Sequence, residues 1–377
     1  MSGLPLPKML RGPNFGLVLL LALFLVMLEW LFLTFVLNYD SEGGDISEYW
    51  RNSLHLDSAF EPHHMPGYPL AIAAVRGVFG NFLGPQAIML AITLVSLSVA
   101  MTAVYRIAQF NLSPDKTWIG LLAVTLFVLW PLVGMTYVAT PIADMFSMAL
   151  LLLGWWLLLR ERALPAAILL GLAIVSHKGM WPFAMLLMAG HIFTVKSAAS
   201  FVVAGVMVLP IATLWILGTI HNGSPMWMFS ADIDWAIRSH SSVPVLDGVV
   251  GSMLFGGLAG VVKGVIVLGV ALLALAVLLK AWLLADDGET KWYSSAVALS
   301  VILSVLILNE EEIWAIVRFG RLLAVPLAML YGTLFIRALR SNRGFVCGLG
   351  LGIAALFCSQ LAFAYYIARV WAPDNYP

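Results

Sequence analysis

Apolar runs of roughly 18 residues or more recur along this chain, each long enough to cross about 30 Å of hydrocarbon as a helix. A backbone inside a bilayer has no water to bond to, so it must satisfy its own N–H and C=O groups. Runs of this length do so as α-helices, and the short alternating segments of a barrel are missing. With 62% hydrophobic and 11% charged residues and a mean hydropathy of +0.96, the chain lies far from a soluble composition. The expected fold is all-α: a polytopic helical membrane protein with about eleven transmembrane helices, forming one integral membrane domain over 1–377.

The expected spans are 16–37, 85–108, 117–138, 143–159, 163–176, 180–194, 198–219, 264–284, 292–308, 319–336 and 344–368, with 68–83 and 248–262 as half-inserted or interfacial segments. The first run is about twice the length of a signal core and no small-residue cleavage pattern follows it, so it is expected to be a retained helix. Cys347 and Cys358 lie about 16 Å apart on one expected helix, too far to pair. A formal net charge of zero gives no footprint for nucleic acid.

Charge sets the expected topology. With the N-terminus cytoplasmic, one set of turns gathers Lys8, Arg11, Arg106, Lys116, Arg160, Arg162, Lys196, Lys280, Lys291, Arg337, Arg340 and Arg343. That bias is what the positive-inside rule describes. The other side collects the acids of 40–61 together with Asp144, Asp232, Asp234, Asp247 and Glu310 to Glu312.

The loop between the first two apolar segments is the chemically dense part. Residues 38–70 hold Asp40, Glu42, Asp45, Glu48, Asp57, Glu61, Arg51, His55, His63 and His64. Anchoring a protein in a bilayer does not require that concentration of titratable groups. Asp45 with Glu48 three residues on also has the spacing of a capping box, and Asp144, after Pro141, suits a helix first turn. His55, His63 and His64 beside Asp45 offer imidazole and carboxylate to a divalent ion, but adjacent histidines diverge and no HxxxH or HExxH spacing occurs, so no metal is expected. His64 is expected instead to bond a phosphate or the loop backbone. A second external loop, 220–250, carries Trp227, Phe229 and Trp235, which suit an interfacial belt or stacking on a sugar face. The short segments 163–176 and 180–194 meet at SHKGM, where Lys178 reaches either an interface or a phosphate. Arg318 and Arg321 stand three apart, on one helix face, where their partners are either an anion or Glu310 to Glu312 just upstream.

Four segments in order resemble the GT-C glycosyltransferases, the multi-helix class that includes protein O-mannosyltransferases and the aminoarabinose transferases of lipid A. They are Asp45-x-x-x-Tyr49; His64-x-Pro66-Gly67-Tyr68-Pro69; PIADMFSMALLLLGWWLLLRER; and LPAAILLGLAIVSHKGMWP, followed by RFGRLLAVPLAMLYG. The chain departs from the pattern in its first loop. Many relatives carry two adjacent acids in the first loop, whereas Ile46 follows Asp45 here.

The resemblance implies an inverting transferase that moves a sugar from a polyprenyl-phosphate donor to a glycan, lipid or protein acceptor at the external face, as in cell-envelope glycan assembly in a bacterial inner membrane. Such an enzyme needs a carboxylate to take the acceptor proton and cations for the departing phosphate. The first loop, 38–69, would then be catalytic. Asp45 would be the base, with Asp40 as alternative and Asp144 orienting the acceptor or the base. Arg318, Arg321, Lys178 and His64 would hold the donor phosphate, and Tyr49, Tyr68, Trp227 and Trp235 would contact substrate. Membrane lipid is the remaining expected partner, and no cofactor is expected. Two other classes compete, a polyprenol-linked lipid flippase or transporter and an O-antigen-ligase-like glycan transferase. A flippase would place charge at helix centres and often shows inverted repeats, which are not apparent here.

Overall fold

The computed structural model describes residues 44–55, 57–60, 65–79, 83–110, 117–130, 143–227, 257–285, 287–307 and 318–341, and a few positions between 16 and 27. Every regular element among them is helical. Numbered from the first loop onward, they are α1 (Gly44–Leu54), α2 (Gly67–Phe79), α3 (Pro85–Ala108), α4 (Thr117–Val128), α5 (Ala143–Leu159), α6 (Ala163–Ser176), α7 (Trp181–Val195), α8 (Ala199–Asn222), α9 (Gly257–Leu284), α10 (Gly288–Ile307) and α11 (Ala324–Ser341). The expected segments 344–368 and most of 16–37 and 248–262 lie outside the described residues.

Prolines and chain reversals cut the apolar sequence into these pieces. Pro85 opens α3 and Pro182 lies in the first turn of α7, where a missing N–H costs nothing. Gly223 closes α8 in the left-handed conformation at φ 66°, the usual role of a C-terminal glycine. The helices α5 and α6 pack as an antiparallel pair; α3 lies against α5, α8 against α6, α7 and α9 against α10, and α11 against α4. Most buried side chains join one apolar core running through α3 to α11.

Among the described residues two helices, Ala87–Ala108 within α3 and α8, are long and apolar enough to cross a membrane. Much of α8 faces outward with apolar side chains, among them Phe201, Val202, Leu209 and Ile220. The same is true of Leu272, Leu279 and Leu283 on α9. Such faces cost free energy in water and none in hydrocarbon. At 13 residues α2 rises only about 20 Å. Its first half is buried through Tyr68, Pro69 and Ile72, while Val78 and Phe79 at its far end are exposed.

Close helix contact depends on small residues. A Cβ placed on Gly171 of α6 would collide with the backbone carbonyl of Met207 on α8 and press on Pro210. A backbone atom cannot rotate aside, so Gly171→Ala is expected to destabilise the fold by about 1–3 kcal/mol. Gly205→Ala, where a Cβ meets nothing within 4 Å, serves as the matched control and is expected to be near neutral. Thermal unfolding in detergent compares the two; equal midpoints would contradict the packing.

Candidate functional site

Helix α5 opens at Ala143, which puts Asp144 in its first turn, where the helix dipole favours an acid. Helix α6 runs back alongside and ends at Ser176. His177 then turns extended (φ −156°, ψ 124°) and Lys178–Met180 form a 3-10 turn. The antiparallel pairing returns His177 to the start of α5, so that its Nε2 lies 3.1 Å from Asp144 Oδ1. A third segment closes the cluster: ahead of α11, Arg318 donates from a terminal nitrogen to Asp144 Oδ2 at 2.7 Å. Arg321 follows in the 3-10 turn Arg321–Leu323, and its Nε donates to the Arg318 carbonyl at 3.1 Å.

Asp144 is only 3% exposed, so its charge depends on these partners. Arg321 is buried as well, with its guanidinium 5.8 Å from the Phe127 ring on α4, and it acts electrostatically on Asp144. By contrast, the side chains of Arg318 and His177 are about one-fifth exposed (21% and 20%), and Lys178, the next residue, is half-buried. The carboxylate thus forms the floor, with Arg318 and His177 above it. One carboxylate against the two arginines leaves the site positive.

The histidine is fixed in one form. Its Nδ1 accepts the Gly179 N–H at 3.0 Å, so the proton of the neutral ring sits on Nε2, facing Asp144. Phe319 meets the ring edge-on at 5.1 Å and fills the space beside Gly179, where a Cβ would strike its ring. With Nδ1 engaged and Nε2 protonated, His177 has no lone pair with which to act as a base. With one oxygen on Arg318 and the other against His177, Asp144 is arranged to position these two side chains rather than to accept a proton.

The first-loop segment docks on the same end of the bundle. Tyr68 on α2 packs edge-on against Tyr49 of α1 at 5.0 Å and against Phe146 of α5 at 5.7 Å, and its hydroxyl bonds Thr93 of α3. Gly67 lies so close to Val175 and Ser176 that any Cβ would clash with them. Asp45 lies one helical turn before Tyr49 on α1. Because α1 begins at Gly44, Asp45 sits inside the first turn rather than ahead of the helix as its cap, although its side chain is outside the described residues.

Asp40, His64 and Trp235 also lie outside the described residues, as do Glu310 to Glu312, the upstream acids considered for Arg318. Tyr49 and Tyr68, expected to meet substrate, are 5% and 0% exposed and spend their rings on each other and on α5. Trp227 is buried as well. It is 1% exposed, donates from Nε1 to the Trp215 carbonyl at 3.2 Å, and rests on Gly218 and Phe60. A stacking platform needs an open ring face, and this ring instead ties the end of the first loop to the end of α8. The residue that sequence reasoning left without a role is His177. Its signal was its position beside Lys178 in the SHKGM turn; its partner Asp144 was not readable there. Among the described residues, no group of three or more His, Cys, Asp or Glu could hold a metal ion.

No protein-family model matches the chain, and no curated protein sequence matches it. Among solved structures, the oligosaccharyltransferase of Archaeoglobus fulgidus, determined in the apo form, superposes with a TM-score of 0.52 at 12% sequence identity. The match covers 93% of this chain and 56% of that one, so the chain spans a little over half the length of this neighbour. At that identity the likeness speaks for the fold alone. The chain shares the helical fold of this archaeal enzyme, the broad architecture that the GT-C resemblance implies.

Proposed function

We propose that this chain is an inverting glycosyltransferase that moves a sugar from a polyprenyl-phosphate donor to an acceptor hydroxyl at the external face of the membrane. The observation that carries the reading is the convergence of Asp144, His177 and Arg318 at the end of the bundle where the acidic first-loop segment docks. An excess of positive charge beside a carboxylate-rich segment, on a fold shared with an oligosaccharyltransferase, suits departure of an anionic leaving group.

In the proposed reaction, Asp45 takes the proton of the acceptor hydroxyl as its oxygen attacks the anomeric carbon. The bond from that carbon to the phosphate oxygen breaks, and polyprenyl phosphate leaves with the electron pair. Attack from the face opposite the leaving group inverts the anomeric centre. Arg318 and Lys178 meet the departing phosphate, because an Arg fork can hold Asp144 and still present donors to a phosphate oxygen. Asp144 and His177 hold Arg318 in place, and Arg321 adds positive charge from beneath. Asp40 is the alternative base, and His64 and Trp235 complete the proposed donor and sugar contacts. The proposed setting is a bacterial inner membrane, with the N-terminus cytoplasmic, about eleven spans and basic loops inside. The reaction as written uses this chain's own residues and no cofactor.

The test is transfer by the purified protein in liposomes offered a panel of labelled polyprenyl-phosphate sugars, with released polyprenyl phosphate measured. Release together with sugar transfer is the expected result. Donor movement across the bilayer without cleavage of the sugar–phosphate bond would instead identify a flippase.

A further inference from the structure

The far end of α5 carries a second cationic site. There, some 16 residues and about 24 Å from Asp144 along the helix, a surface cavity of about 350 Å³ is lined by Trp156, Leu157, Arg160 and Arg162. The backbone builds it: the Arg162 N–H bonds the Leu157 carbonyl at 2.9 Å and the Glu161 N–H bonds the Leu158 carbonyl at 3.0 Å. This is the paired closure of a helix C-terminus, with Glu161 in the left-handed conformation (φ 58°) where glycine is the usual occupant. The turn keeps both arginines on the cavity and leaves Glu161 out of its lining.

Arg160 lies 5.9 Å over the Trp156 ring, and neither arginine makes an ion pair among the described residues. Immediately downstream, Leu164 and Ile168 of α6 share one face at i, i+4 and are 55% and 45% exposed. Cation–aromatic pairs recur at this end of the bundle, with Lys291 4.1 Å from the Trp282 ring and Arg106 5.9 Å from Tyr105. Basic residues interleaved with Trp and Tyr are the pattern of a membrane interface facing an anionic leaflet.

We infer that this cavity binds the phosphate headgroup of an anionic glycerophospholipid, with an acyl chain lying along Leu164 and Ile168. Arg160 and Arg162 grip the phosphate, Trp156 floors the site, and the two exposed aliphatic side chains give the occupant a hydrocarbon tail. A free phosphate would use the arginines but leave the apolar face uncovered.

Delipidated full-length protein in detergent, titrated with phosphatidylglycerol and followed by native mass spectrometry and thermal unfolding, tests this. Expected are a one-to-one adduct and a raised midpoint with phosphatidylglycerol, and neither with phosphatidylcholine or inorganic phosphate. In R160Q/R162Q the phosphatidylglycerol affinity should fall about tenfold or more, while Arg106→Gln, outside the cavity, should keep it. Unchanged affinity in R160Q/R162Q, or the same midpoint shift from inorganic phosphate, overturns the assignment. If the double variant fails to fold, the single variants R160Q and R162Q decide by the same affinity readout. The readout is binding, so it is independent of any sugar transfer at the other end.

Discussion

Replacing Asp144 by Ala is expected to cost about 3–5 kcal/mol of folding stability, since removing one partner of a buried ion pair leaves the other charge buried and uncompensated. Arg318, donating to Asp144 Oδ2 at 2.7 Å, would lose its carboxylate, and the buried Arg321 just beneath would add like-charge repulsion. Exchanging both members for apolar residues of similar volume, as in D144L/R318M, should recover part of that stability, with the buried Arg321 still lacking its carboxylate. Transfer should stay lost in the double variant, because no guanidinium then meets the departing phosphate. Thermal unfolding and donor cleavage, measured on the same preparations, separate the two roles. A single Asp144→Ala variant within about 1 kcal/mol of the parent would show the pair to be no stronger than a surface contact.

The second large effect is expected from Asp45→Asn, which should slow transfer by about 10²–10⁴-fold, the usual worth of a positioned general base. The competing structural role predicts something much smaller. Asp45 lies inside the first turn of α1, where losing a negative charge near the helix N-terminus costs about 0.3–1 kcal/mol. A steady-state rate and an unfolding midpoint therefore point in different directions for the two roles. Full activity in Asp45→Asn would move the base to Asp40, since the two oxygens of Asp144 already face Arg318 and the Nε2 of His177.

The bounds of α5 and α6, Ala143–Leu159 and Ala163–Ser176, coincide with the apolar runs expected at 143–159 and 163–176. Those limits were legible because they are local: hydropathy marks each run, and the Arg160-Glu-Arg162 turn breaks the two apart. The pairing of Arg318 and Arg321 was legible for the same reason, since a spacing of three places both on one face. The concentration of acids ahead of α2 likewise marked the loop that docks beside Asp144.

What the sequence alone could not decide is which helix meets which. A helix that is apolar all round carries no stripe to orient it, and in hydrocarbon apolar contact with lipid is nearly as good as contact with a neighbour. Orientation then falls to a few small and polar residues whose partners are distant in the chain. Arg318 finds Asp144 across 174 residues, and Gly67 approaches Ser176 only because it has no Cβ to collide with it. The same tertiary packing buried Trp227 and gave His177 a carboxylate to face. Local hydropathy determined the helices; long-range packing of small residues and buried charge decided the site.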